Sequence, residues 1–455
     1  MTDRFAVLWT RAGGKPVKMG NVVATERECR VTYDQAFVRS GLPGFSLIAP
    51  PAKLGTNAII HRATERFPLH PRLMVMIPPN TAGNLQRRVY AELLAKRPVP
   101  PAPGFDSEWE ILMLAGRNGI GHLDVFPSDL DAQTWYDTME RRAHLLGGRS
   151  GVWRLLQDEI QQTGDMDEAT ARELAEVMGP TPTVGGMTSK ILVAIPDHLE
   201  WDGTMALPGT SEIGRTRFTD VIVKIEQPGY EGVTALEALA YDIHEELGFQ
   251  VPRRWRHSVE GLNVLAVERF DRTSKGLPIT YEGLLTIFAG GSTRVTSTSD
   301  LELHEVAAWI RRLASLCAID VNEALMEIFR RLAVALMTGN GDLHLENLGL
   351  LGGFDGARMA PVFDPAPMRA WQRHNIQMAI PIDFNRDKPI YTQIARQGLA
   401  FGLTETAALG VLRWAHDATL NYRERVGAAT GVPDGQKERL IRVVGREREL
   451  LQLAL

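Results

Sequence analysis

Cysteine is nearly missing. The chain has two, Cys29 and Cys317, far apart and forming neither a CxxC pair nor a zinc-ligand spacing. Isolated thiols fit a reducing compartment, where cysteine is a small hydrophobe. Long apolar runs are lacking too, so no stretch spans a bilayer. The first sixteen residues have no apolar core followed by a small-residue cleavage site. No membrane partner is expected, and cytoplasmic residence follows by elimination. Neither sign of charge dominates: 50 Lys and Arg stand against 55 Asp and Glu, for a net charge of -5. That balance gives no reason to expect direct nucleic-acid binding. The densest basic run, Arg253, Arg254, Arg256 and His257, reads as a solvated surface or loop. Internal repeats and low-complexity tracts are absent.

What is present describes a globular protein of two or three domains: 455 residues, 44% hydrophobic and 23% charged. The clearest break is the proline-rich stretch 96–104, read as an extended connector. Before it, residues 5–9 and 28–33 read as short strands of a small, partly β module. Strands are expected again at 191–195, 220–225 and 264–267, with a helix over about 234–247 between the last two. In 220–225 the alternation sets Val221, Val223 and Ile225 on one face and Lys224 on the other. From about 300 the pattern turns helical. Asp320 and Glu323 resemble a helix start, and Gly339 sits where that helix would stop.

The strongest chemical signal follows that stop: Gly339-Asn340-Gly341-Asp342-Leu343-His344-Leu345-Glu346-Asn347. Phosphoryl transfer to a hydroxyl needs a carboxylate near the attacking oxygen and an oxygen ligand for magnesium, and Asp342 and Asn347 in one tight loop supply both. Gly, Asn and Asp also make ordinary turns, so the loop gains weight from its company. Downstream, Asp364 in Val362-Phe363-Asp364-Pro365 is a second carboxylate able to chelate magnesium, reached through a β-hairpin over 348–359. Upstream, Lys224 between Val223 and Ile225 needs a partner, and Glu237 in the next helix is the natural one. Without those neighbours Lys224 would read as a strand-edge lysine guarding against aggregation. The segment 183–190 contains Gly185 and Gly186, which let backbone N–H groups approach phosphate closely, but it is neither a Walker A sequence nor a full GxGxxG.

Taken together, these pieces resemble the HipA family of serine/threonine kinase toxins. The resemblance rests on the Gly-rich 183–190, Lys224, Glu237, the run Glu268-Arg269-Phe270-Asp271-Arg272, the Gly339-Asn340-x-Asp342-x-His344-x-x-Asn347 loop and Phe363-Asp364. It implies an α+β, protein-kinase-like two-lobed fold with a β-rich N-terminal subdomain and a mostly helical C-terminal lobe. The expected division is 1–150 for the subdomain, 151–272 for the N-lobe and 273–455 for the C-lobe. It further implies ATP and Mg2+ as cofactors and Asp342 as base. Asn347 and Asp364 would be metal ligands, with His344 supporting the phosphate region. Lys224, Glu237, Gly185, Gly186 and Lys190 would lie around the phosphates, Glu268 and Phe270 at the adenine, Glu268 through its backbone. Thr183 falls where the family carries an autophosphorylated residue, whose added charge would oppose nucleotide binding. The implied partners are a small helix-turn-helix (HipB-like) antitoxin, DNA only through it, and an aminoacyl-tRNA synthetase as substrate.

The sequence departs from the family at Glu346, where lysine is usual, and at Met187-Thr188-Ser189 before Lys190. The Asp342 loop equally resembles that of aminoglycoside phosphotransferases, against which the N-terminal module and the 268–272 run argue. A pseudokinase scaffold is the other alternative, opposed by the presence of Lys224, Asp342, Asn347 and Asp364 together.

Overall fold

The computed structural model describes residues 3–81, 83–139, 146, 151–161, 166–179, 181 and 189–454. Period-two alternation opens the chain, with Ala6 and Leu8 buried and Phe5 exposed, as a strand covered on one face requires. This strand, β1 (Arg4–Thr10), joins β2 (Val17–Ala24), β3 (Glu28–Tyr33), β4 (Ile59–Arg62) and β5 (Asp124–Phe126) in an antiparallel sheet of order β4-β3-β2-β1-β5. The short helices α1 (Gln35–Val38), α2 (Pro51–Leu54) and α3 (Pro71–Met74) accompany it, followed by α4 (Leu85–Ala95), α5 (Phe105–Ala115) and α6 (Asp129–Asp137). The connector at 96–104 separates no modules. It joins α4 to α5, which share one apolar core through Tyr90, Leu94, Trp109 and Leu112. Its prolines end a helix, since a ring without N–H cannot continue one.

Two helices, α7 (Gly151–Gln161) and α8 (Glu168–Met178), precede the second sheet. That sheet contains β6 (Ser189–Pro196), β7 (Glu212–Ile213), β8 (Thr216–Ile225), β9 (Arg254–Val259) and β10 (Leu262–Glu268), ordered β6-β8-β10-β9 with β7 on β8. Both faces are covered. Val221, Val223 and Ile225 pack with Trp153, Leu156 and Leu174 of α7 and α8. The other face, with Leu265 and Val267, receives α9 (Val233–Glu246) through Ala238 and Tyr241. The alternation read from the sequence therefore aims Lys224 at α9.

The basic run at 253–257 lies at the surface, with Arg253 and Arg256 exposed, but from Arg254 onward it is the edge strand β9 and not a loop. Trp255 is buried, Arg253 bonds Glu268 and Asp197, and Arg254 pairs with Asp242 and Glu245. Outward arginines made an edge strand look like a loop, and charge on an edge discourages strand addition.

The rest is mainly helical: α10 (Leu284–Gly291), α11 (Leu303–Leu313), α12 (Val321–Thr338), α13 (Ile390–Gln397), α14 (Glu405–Ala418), α15 (Tyr422–Ala428) and α16 (Asp434–Gln452). They enclose the largest apolar core, in which Phe288, Ile310, Phe329, Leu332 and Leu440 are buried. The expected hairpin is present as β12 (Gly349–Leu351) and β13 (Arg358–Met359), and it gains a third strand, β11 (Tyr281–Gly283). α12 starts where the Asp320 carboxylate accepts the Glu323 N–H at 2.9 Å and ends at Gly339, with φ 77°. A full capping box, passed over in the sequence, opens α11 with Glu302 and Glu305. Among the described residues, no helix is long and apolar enough to cross a membrane.

Candidate active site

Antiparallel pairing sets Lys190 of β6 directly opposite Lys224 of β8. Like charges in that position repel, and both side chains are almost wholly buried, so anions must lie between or beside them. Glu237 of α9 accepts a hydrogen bond from Lys224 Nζ. Asp364 bridges the two lysines: its Oδ1 accepts from Lys224 Nζ at 2.6 Å and its Oδ2 from Lys190 Nζ at 3.0 Å. Two ammonium groups and two carboxylates thus form one neutral cluster.

Burial works against both ions of a pair, and the neighbours decide each outcome. At Lys224 burial lowers the pKa, but Asp364 and then Glu237 outweigh it and hold the ammonium above the usual lysine range. At Asp364 burial raises the pKa, but Lys190 and Lys224 outweigh it and hold the carboxyl well below the usual range. Glu237 accepts from Lys224 alone, and burial, with the Asp364 carboxylate nearby, leaves it raised against the pull of the lysines.

Tyr241 also belongs to this cluster. It stands one helical turn after Glu237 on the same face of α9, and its hydroxyl accepts the Asp364 N–H at 3.1 Å. Asp364 has φ 54°, a left-handed conformation uncommon for a non-glycine residue, and this bond helps hold it there. The i, i+4 spacing from Glu237 was visible in the sequence, but nothing marked a buried tyrosine as anything beyond core.

The loop after α12 is fixed by its own polar groups. Asn340 Oδ1 accepts the Asp342 N–H at 2.9 Å, and Asn347 Nδ2 donates to the Asp342 carbonyl at 2.9 Å. The second bond orients the Asn347 amide and turns its oxygen away from that carbonyl. Gly341 is required by contact: a Cβ there would lie 2.0 Å from the Ile376 carbonyl oxygen. The abutting segment is anchored by Glu447 of α16, a buried carboxylate that pairs with Arg369 at 2.7 Å and accepts from Tyr391 Oη at 2.8 Å and Gln377 Nε2 at 2.6 Å. No sequence signal linked residue 447 to residue 341.

Asp342 is partly open to solvent. Burial raises its pKa, His344 opposes the rise, and Asp364 adds to it. His344 Nδ1 accepts the Glu346 N–H at 3.2 Å, which assigns the proton of the neutral ring to Nε2. That nitrogen lies 3.7 Å from Asp342 Oδ1, too long for a hydrogen bond. Glu346 faces Arg66 of the N-terminal region at 3.6 Å, an exposed pair of small energetic weight.

The run 268–272 behaves differently from the phosphate side. Phe270 packs edge-on against Tyr281 and tilted against Phe363, at 5.4 and 5.5 Å between ring centroids, next to Asp364. The Glu268 carboxylate is held by Arg253, and its N–H donates to the Arg253 carbonyl at 2.9 Å. Arg269, Asp271 and Arg272 form a buried clamp. Asp271 accepts from Arg269 at 3.0 and 2.9 Å, from Arg272 at 2.9 Å and from the Gly121 N–H at 2.6 Å. Both arginines also donate to the carbonyls of Asn118 and Gly119. This part of the run therefore ties the 118–121 turn to the end of β10. Burial raises the Asp271 pKa, but Arg269 and Arg272 overcome it and bring it to about 2. Burial works against both guanidinium groups: at Arg269 the bonds to Asp271 outweigh it and leave the group raised, while at Arg272 burial, with the Arg269 cation adding to it, prevails and brings the group to about 10.

Thr183, Gly185 and Gly186 lie outside the described residues. Size alone would direct attention elsewhere: among the described residues a surface concavity of about 910 Å3 is lined by Asp242, Glu245 and Arg254. Its Arg254 is already paired with both carboxylates, so we place the chemistry at the Lys224–Asp364 cluster and the Asp342 loop.

A strand-rich lobe presenting a buried lysine–carboxylate cluster to a helical lobe with an Asp…Asn loop defines a kinase-like two-lobed protein. The HipA-like C-terminal domain matches residues 183–421, and the chain belongs to the HipA family. A chain of the Shewanella oneidensis MR-1 toxin–antitoxin complex of HipA, HipB and operator DNA has the same fold, with a TM-score of 0.66 over 98% of this chain and 97% of that one at 16% identity. Y4mE of Sinorhizobium fredii, provisionally named a kinase, is 24% identical over 238 residues, 49% of this chain and 53% of that protein. The matched region thus spans about half the length of that relative.

Proposed function

We propose that the chain is an ATP-dependent protein kinase acting as the toxin of a toxin–antitoxin pair. The observation that carries this reading is the convergence of Lys190 and Lys224 on Asp364, with Glu237 on Lys224 and with Asp342 close enough for its ionisation to depend on Asp364. The two lysines hold the phosphates of ATP, and Glu237 keeps Lys224 in place. Asp342 accepts the proton of the acceptor hydroxyl as its oxygen bonds to the γ-phosphorus. The bond from that phosphorus to the bridging oxygen breaks, and ADP leaves. Asn347 and Asp364 suit magnesium, which favours oxygen ligands and keeps several waters and phosphate oxygens. When bound, the ion neutralises charge developing on the phosphates.

A helix-turn-helix antitoxin is the proposed partner, with DNA reached only through it, and a protein of the translation machinery, an aminoacyl-tRNA synthetase by resemblance, is the proposed substrate. Thr183 is the proposed site of self-phosphorylation. The test incubates purified protein with γ-labelled ATP, magnesium and a bacterial lysate, comparing wild type with Asp342→Ala. Label in a protein band, lost in the variant, supports the kinase. Label only in a small molecule would replace it with a small-molecule phosphotransferase, and ATP binding without any transfer with a scaffold.

A further inference from the structure

We infer that Glu447, on the C-terminal helix α16, is a positioning residue for phosphoryl transfer: it holds the backbone of the Asp342 loop in place from behind. The inference rests on the kinase reading above and names the element that sets its base. Glu447 is 1% exposed, so its side chain has no surface to offer nucleotide or acceptor. Both of its oxygens are used: Oε1 accepts from Arg369, and Oε2 accepts from Gln377 and from Tyr391.

Two arms run from this carboxylate to the loop. One is Arg369, whose side chain pairs with Glu447 and whose carbonyl accepts from Arg439 Nε of α16 at 3.1 Å. The Arg369 N–H donates to the Gly339 carbonyl at 3.2 Å, and its Cγ lies 3.0 Å from where a Cβ on Gly341 would be. The other arm is Gln377, next in sequence to Ile376, whose carbonyl closes on Gly341. Leu440, also of α16, lies 2.6 Å from where a Cβ on Gly339 would be. Residues 339 and 341 are thus both set from α16. Between them stands Asn340, which accepts the Asp342 N–H. A buried ion pair is a poor source of stability, since apolar residues of similar volume often serve as well. What this one supplies is a fixed geometry, and a small displacement far from the chemistry is enough to slow a reaction.

The experiment removes both charges together, Glu447→Leu with Arg369→Met, so that neither ion is left buried alone. The full chain transfers label from saturating γ-labelled ATP with magnesium to lysate protein, and ATP affinity is measured separately at equilibrium. The paired variant should transfer roughly tenfold to a hundredfold more slowly, with ATP affinity within about twofold of wild type. Glu447→Gln, which keeps the shape and part of the bonding, should recover most of the rate. Added to Asp342→Asn, the paired change should cost nothing further, because it acts through Asp342. Amide hydrogen exchange should quicken over 339–347 and stay as it is in β8, whereas general loosening would quicken both. Should the paired variant not fold, Gln377→Leu decides: it cuts one arm, and slower transfer with ATP affinity kept supports the inference. Unchanged transfer in the variant that decides, a parallel loss of ATP affinity, or a further loss on top of Asp342→Asn would each overturn the inference and leave the kinase reading intact. Absence of transfer by wild type would overturn the kinase reading and with it the role in transfer.

Discussion

Replacing Asp271 probes whether Arg269, Asp271 and Arg272 clamp the 118–121 turn to the end of β10. Its carboxylate is 2% exposed and accepts four hydrogen bonds, three from guanidinium groups and one from the Gly121 N–H. Without it, Arg269 and Arg272 stay buried, and the nearest remaining carboxylate is Asp220, 3.8 Å from Arg272. Removing one partner of a buried ion pair costs about 3–5 kcal/mol, which sets the expectation for Asp271→Ala. Asp271→Asn keeps the shape and part of the bonding and should cost roughly 1–3 kcal/mol. The sign with pH follows from the depressed pKa. The ionised carboxylate stabilises the fold above the ordinary value of 3.8, and that contribution is lost as pH falls through about 2. Urea unfolding at neutral pH gives the stability change, and limited proteolysis at 118–121 shows whether the turn has come loose. An Asp271→Ala protein within about 1 kcal/mol of wild type, with the turn equally resistant, would refute the clamp.

Asp342→Asn should slow transfer by about a hundredfold to ten-thousandfold, the usual worth of a positioned general base, with ATP affinity nearly unchanged in equilibrium binding. Because burial raises the Asp342 pKa, wild-type turnover should rise with pH through a point above the ordinary carboxylate range, and a pH–rate profile of the variant should lack that acid limb. Gly341→Ala pushes a methyl group to 2.0 Å from the Ile376 carbonyl oxygen and should cost about 1–3 kcal/mol in thermal unfolding together with most turnover; wild-type behaviour in both would show that the loop does not need the close approach.

Local chemistry was the legible part of this chain. The alternation in 220–225 aimed Lys224 away from Val221, Val223 and Ile225, and β8 has that arrangement. Gly339 ended its helix in the left-handed conformation expected of a C-terminal glycine. The hairpin over 348–359 was set by its Gly and Asp turn residues. What escaped was whatever depends on distant pairing. The third strand, β11, comes from residues 281–283, well before its partner. The proline-rich stretch looked like a boundary because composition reports where a helix must stop, not which core its neighbours share. Arg269, Asp271 and Arg272 entered only as part of a run that carries the family resemblance, and the turn they bind lies about 150 positions upstream, where no local pattern reaches. Lys190 and Asp364 were each singled out as candidates from the sequence, but their mutual bond was not.

The charge count at that bond has a consequence for the chain as a whole. The second sheet and α9 supply two ammonium groups but one carboxylate, and the balancing anion arrives on a segment beyond β13. A fragment ending after β10 would carry an uncompensated cation on a surface shaped for burial. The bridge from Asp364 to Lys190 and Lys224 ties the strand-rich half to the helical half, so dividing the gene at the seam between them would part the ions of one cluster.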